Sequence, residues 1–149
     1  MEQRDEFYER LILEGKIQRI VADDFHVSQL LSTARKHNRL AQMGIATDVI
    51  GAYQLAYDGL RKAVTAVGAR NGYRVTARGG HLTVFALGER LLIGEIPRDW
   101  FTTIDAIRRR RNTLEYPQEQ HGELAQADVL DVIELADRVI SAVERLLKS

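Results

Sequence analysis

The sequence predicts an all-α protein, an up-and-down four-helix bundle with an additional short helix and an N-terminal helical extension. Three observations carry this reading. Long segments repeat apolar residues at three-and-four spacing, the mark of helices that bury one stripe. Only two prolines occur, Pro97 and Pro117, and both lie outside those segments, where they break nothing. The links around residues 46 and 95 are short, so neighbouring helices should run antiparallel.

Each element follows in order. Asp5–Ile20 reads as a short helix with Phe7, Leu11 and Ile12 on one side, ending near Gly15. Asp23 or Asp24 caps the next helix, whose stripe is Val27, Leu30, Leu31, Ala34, Ala41 and Ile45. Asp48 caps a third helix carrying Val49, Ala52, Tyr53, Ala56, Leu60, Ala63, Val64 and Val67, and GARNG stops it. The stretch RNGYRVTARGG (70–80) reads as the main loop; YRV (73–75) has strand character but no expected partner. A shorter helix follows from about His81 to Leu92, with Leu82, Phe85 and Leu92 for the core. Pro97 or Asp99 opens a fifth helix with Trp100, Ile104 and Ile107 on its apolar side, and Pro117 ends it. The last helix spans Val129–Leu147, with Leu130, Ile133, Ile140, Val143 and Leu147 inward. Residues 1–22 form the extension and residues 23–149 the bundle domain.

The 149 residues suffice for one domain with its own core. The absence of cysteine excludes disulfides and thiolate metal sites and fits a reducing compartment. The charged start, MEQRDEFYER, does not read as a signal peptide, and no apolar run approaches the ~20 residues of a membrane span. A cytoplasmic protein is the expectation. Net charge is zero, yet residues 25–116 hold fourteen bases and seven acids between two acidic ends. A basic middle of this kind suits local anion binding, or packs beside the acidic ends.

The basic charge peaks in RRRRNTLEYP (108–117) at the end of the fifth helix. Arg108, Arg111 and Glu115 share a helical face, as do Asn112 and Tyr116. Cations there complement the helix dipole, which is reason enough for a purely structural role. A functional role rests on the guanidinium fork of Arg108, Arg110 and Arg111, which suits phosphate oxygens. Asn112 adds a neutral donor and acceptor, and Tyr116 a ring for stacking and a phenol for hydrogen bonding. The glycines of the 70–80 loop form neither GxGxxG nor GxxxxGK[ST], so no nucleotide fingerprint is present.

Three stretches together resemble the HEPN superfamily (higher eukaryotes and prokaryotes nucleotide-binding domains): AYQLAYDGLRKAV (52–64), NGYRVTARGGHLTVFAL (71–87) and IRRRRNTLEYP (107–117). The third has the Arg-Asn-x-x-Glu-Tyr-Pro form of one branch. The resemblance covers about residues 23–147. It implies a four-helix bundle that forms a homodimer along the motif helices. It implies RNA or nucleotide as ligand, and for many members metal-independent ribonuclease activity in toxin–antitoxin or defence systems. Other members are non-catalytic interaction modules, some with a nucleotidyltransferase partner. Neither a cofactor nor a metal is implied. Arg111 and Asn112 match the first two catalytic positions, and Tyr116 stands where the family pattern has a histidine. A phenol with an ordinary pKa near ~10 is a poor base at neutral pH.

Other residues complete the candidates. Asp58 either pairs locally with Arg61 or orients Arg111 across the bundle. His81 either caps at Gly80 or supports the motif, and His121 follows Pro117 on the loop. His37 reads as a core-boundary histidine, and His26 sits beside Asp23 and Asp24. No HxxxH or HExxH occurs, which argues against a dedicated metal site. By their spacing Tyr53, Leu55 and Tyr57 cannot all face one core, which adds to the expectation of a dimer.

Overall fold

Aspartate side chains start three of the helices. Asp5 accepts from Phe7 N at 3.0 Å, Asp23 from Phe25 N at 3.0 Å and Asp48 from Gly51 N at 2.9 Å, satisfying N–H groups that a helix start leaves open. The computed structural model describes residues 5–114 and 124–148. It is an all-α bundle with elements α1 (Glu6–Leu13), β1 (Ile17–Arg19), α2 (Asp24–Gly44), α3 (Val49–Arg70), β2 (Tyr73–Val75), α4 (Gly80–Leu91), α5 (Asp99–Leu114) and α6 (Gln126–Lys148). Among the described residues no helix is long and apolar enough to cross a membrane.

The centre of the bundle is α3. It packs against α2, α4, α5 and α6, and Tyr53, Ala56, Tyr57, Leu60, Ala63 and Val64 are all buried. The expected conflict among Tyr53, Leu55 and Tyr57 therefore does not arise. Neighbours on several sides take up both rings within one chain, so their burial needs no second copy. The Tyr53 hydroxyl donates to the Ile107 carbonyl at 2.9 Å, tying α3 to α5.

Small residues let the helices close on one another. A Cβ built on Gly59 would lie 2.8 Å from the Ala34 carbonyl oxygen, so α2 and α3 touch almost backbone to backbone. One turn along α2 from Ala34, Asn38 donates to the Ile133 carbonyl of α6 at 3.1 Å. Arg35 clasps the same helix through Asp137, Ser141 and Glu144.

Two expectations need correction. The YRV segment does have a partner. Ile17–Arg19 pairs with Tyr73–Val75 as a two-stranded antiparallel sheet in the register Ile17↔Val75, Gln18↔Arg74, Arg19↔Tyr73. Gly15, at φ 72°, ends α1 and turns the chain back, Ile17 is buried, and Tyr8 stacks on Tyr73 with ring centroids 5.1 Å apart. The N-terminal segment is thus helix and strand together, anchored on the loop that leads into α4. Leu82 and Leu130, expected in the core, are exposed. The inward faces run instead through Val84, Leu87 and Gly88 in α4 and through Val129, Val132, Ile133 and Ala136 in α6. Leu130 directly follows Val129 and Leu82 stands two residues before Val84, and at about 100° of helical turn per residue both point away from that face.

The close approach at Gly59 gives a direct test. Gly59→Ala should lower unfolding free energy by about 2 kcal/mol, since the clash is with backbone. Gly44→Ala, with nothing within 4 Å of the new methyl, should be neutral or stabilising by about 0.5 kcal/mol. Urea unfolding of both variants measures the difference.

Candidate functional site

The direction of the arginines follows from the face that α5 buries. Phe101, Ile104 and Ile107 point into the core, and Arg108 and Arg111 continue that stripe at i+4. Both return toward α3 and are half-buried, whereas Arg109 is exposed. The guanidinium carbon of Arg111 lies 5.5 Å from the centre of the Tyr57 ring, a distance at which a cation is drawn to the ring face. Arg108 is bound to Asp105 through Nε at 3.2 Å and Nη2 at 2.9 Å. Arg109 pairs with the same carboxylate at 3.0 Å, and Arg110 turns to Asp128 at the start of α6, at 3.6 Å. The run therefore divides. Arg108 and Arg111 face Tyr57, and Arg110 faces another helix.

Tyr57 is 1% exposed, and its hydroxyl lies 2.9 Å from Nδ1 of His81, in the first turn of α4. Burial pushes the phenol up to about 12, against the opposing pull of Arg111, Arg61 and Arg108. It is therefore neutral at ordinary pH. The phenol donates in this bond when the imidazole proton sits on Nε2, and accepts when it sits on Nδ1 and leaves Nε2 free. Arg111 over the ring and His81 at the hydroxyl thus meet at a single phenol.

Asp58 is the carboxylate of this cluster. It lies 2.5 Å from His37 Nδ1, 2.6 Å from Arg61 and 3.1 Å from Lys62. Burial raises its carboxyl, but the bonds from Lys62, Arg61 and His37 outweigh this and hold it below the ordinary carboxylate value. These contacts correspond to the local ion pair with Arg61, and they give His37 its partner at the core boundary. They also fix Arg61 beside Tyr57. Asn112 is exposed, and Glu115, Tyr116, Pro117 and His121 lie outside the described residues.

The sequence reading named Arg108, Arg111, Asp58 and His81 but passed over Tyr57, which joins them. The available signal was its i+4 spacing from Tyr53 together with Asp58 and Arg61 on the next turn, a polar group against a core stripe. No group of three or more His, Cys, Asp or Glu able to hold a metal occurs among the described residues. The arrangement is suited to binding an anion between guanidinium groups, with an imidazole positioned to exchange a proton.

Two predictions follow from the charges. Tyr53 is also pushed up to about 12 by burial, so the folded chain keeps protons that the unfolded chain releases near pH ~10. Stability should hold below that pH and fall as pH rises toward 12. Tyr53→Phe should cost about 1 kcal/mol at neutral pH yet flatten the alkaline decline, as read by thermal melts across pH. Asp58→Asn should cost about 1–2 kcal/mol at pH 7. Because the native Asp58 carboxyl is depressed, that deficit should shrink as pH falls below about 4, where the wild-type group takes up its proton.

Comparison with protein-family models, with curated proteins and with solved structures found no match to this chain.

Proposed function

We propose that the chain is a HEPN-like protein that binds the phosphates of RNA or a nucleotide through Arg61, Arg108 and Arg111. The observation that carries this is the Arg111 guanidinium held over the buried Tyr57 ring, with Arg108 on the same face of α5 and His81 on the Tyr57 hydroxyl. Asp105 and Asp58 neutralise Arg108 and Arg61 in the free chain, and a phosphodiester held by Arg111 would compete for their hydrogen bonds. In this reading Arg108 and Arg111 serve as phosphate ligands, and the exposed Asn112 is available to a sugar or base. A homodimer pairing two such clusters along α5 would form a cleft for a strand. Metal-independent cleavage extends the same reading. Arg111 would stabilise charge developing on phosphorus, and His81, in the tautomer that donates Nδ1–H to the Tyr57 oxygen, would take the ribose 2′-hydroxyl proton on its free Nε2. A ribonuclease of a toxin–antitoxin or defence system acts in this way.

A second reading is a non-catalytic module that acts with a protein partner such as a nucleotidyltransferase. The protonated state of Tyr57 favours it, since a phenol held near 12 supplies no base.

Labelled single-stranded RNA separates the readings. Arg111→Ala should weaken binding roughly tenfold or more at low salt and reduce the salt slope by about 0.7. Arg138→Ala, on the outer face of α6, should change binding less than twofold. Equal binding by wild type and Arg111→Ala removes the phosphate role. Cleavage in EDTA that His81→Gln abolishes while retaining affinity supports the ribonuclease form. Binding without cleavage, with a stoichiometric partner recovered from the host, selects the module.

A further inference from the structure

A second basic surface lies away from the Tyr57 cluster. Between the N-terminal half of α2 and the ends of α3 and α6 is a groove of about 560 Å³. Its floor is apolar: Val27, Leu31 and Leu147, packed on Ala66 and Ala69 of α3. Its walls carry five cations against two carboxylates. Arg35 is engaged by Asp137, Ser141 and Glu144, which braces one wall and fixes α2 against α6. Arg70 reaches Asp24 at 3.7 Å across the rim. The other three cations, Lys36, Arg39 and Lys148, have no ion-pair partner among the described residues.

We propose that this groove binds a small organic phosphate, a molecule with a flat apolar body and more than one phosphate charge. Lys36 and Arg39 lie one turn apart on α2, a like-charge spacing that weakens a helix unless something neutralises it. Their charge rises beside an apolar floor, so a purely inorganic anion would leave Leu31 and Leu147 wet. A purely apolar ligand would leave the cations uncompensated. Ser28 and Ser32, also one turn apart, supply hydroxyls along the same wall. The volume falls in the range of ordinary ligand sites. A nucleoside triphosphate has this chemistry, with its base on Val27, Leu31 and Leu147 and its phosphates on Lys36, Arg39 and Lys148. The groove does not depend on the arginine cluster of α5, and its occupancy stands or falls separately.

Calorimetric titration of the full chain with ATP, adenosine and inorganic tripolyphosphate tests this. ATP should bind with one-to-one stoichiometry, and adenosine and tripolyphosphate should each bind at least tenfold more weakly. The double variant Lys36→Glu/Arg39→Glu alters exposed positions and should lose at least tenfold in ATP affinity with an unchanged circular dichroism spectrum. If that variant fails to fold, Ser32→Tyr, which fills the groove from an exposed site, should show the same loss. Arg138→Ala, outside the groove lining, should keep ATP affinity within twofold. Absence of saturable ATP binding at millimolar concentration overturns the proposal, as does tripolyphosphate binding as tightly as ATP. Loss of ATP binding in Arg111→Ala but not in the groove variants also overturns it by assigning the ligand to the other site.

Discussion

A phenol buried in a helical core must find a hydrogen-bond partner, because an orphaned hydroxyl there costs about 1–3 kcal/mol. The structure is arranged around that constraint at two positions one turn apart on α3. Tyr53 meets it with a backbone carbonyl, that of Ile107. Tyr57 meets it with a side chain that titrates, His81. The first solution holds α5 in place. The second draws the start of α4 to the point where α5 presents Arg111 over the same ring. Packing and site chemistry are therefore one problem, since the residue that completes the core also gathers the charges.

The helices around α3 can converge there only because the interfaces are lean. Gly59 admits the Ala34 backbone, and a Cβ on Gly88 would lie 2.2 Å from Val64 Cγ1, so α4 also approaches α3 closely. The short two-stranded sheet of β1 and β2 then secures the chain between α3 and α4. Thr76 of that connection donates to the Gly15 carbonyl at 2.6 Å, so the N-terminal segment braces the loop that delivers His81.

Much of this was legible in the sequence, for definable reasons. Helix starts at Asp23 and Asp48 and the stripes of α2, α3 and α6 are local signals, and they emerge where periodicity puts them. The return of Arg108 and Arg111 toward the core is legible too, because they extend the stripe of Ile104 and Ile107. The strand pairing was not, since two three-residue strands separated by more than fifty positions carry no period of their own. The centrality of α3 was hidden for a different reason. Surrounded on several sides, it buries Tyr53 and Tyr57 as well as the alanine stripe, which a one-face model of a helix cannot accommodate. Asp58 shows the limit most clearly. Its spacing to Arg61 and Lys62 is local and readable, but the His37 contact joins residues on two helices and is set by the Gly59 crossing.

The distribution of charge has the same origin. The basic middle of the chain is not one surface, because α2 and α5 display their cations on different sides of α3. One set is gathered on a buried phenol and the other on an apolar groove.

The central claim is that Arg61, Arg108, Arg111 and His81 act as one anion-binding unit organised by Tyr57. Proton–nitrogen NMR of the arginine Nε and histidine ring signals, during titration with a short single-stranded RNA, addresses it most directly. Saturable, concerted shifts of those four residues, with Arg109 and Arg138 unmoved, are the expected result. Shifts spread over the exposed arginines, or no shift at Arg111 and His81 at saturating RNA, would contradict it.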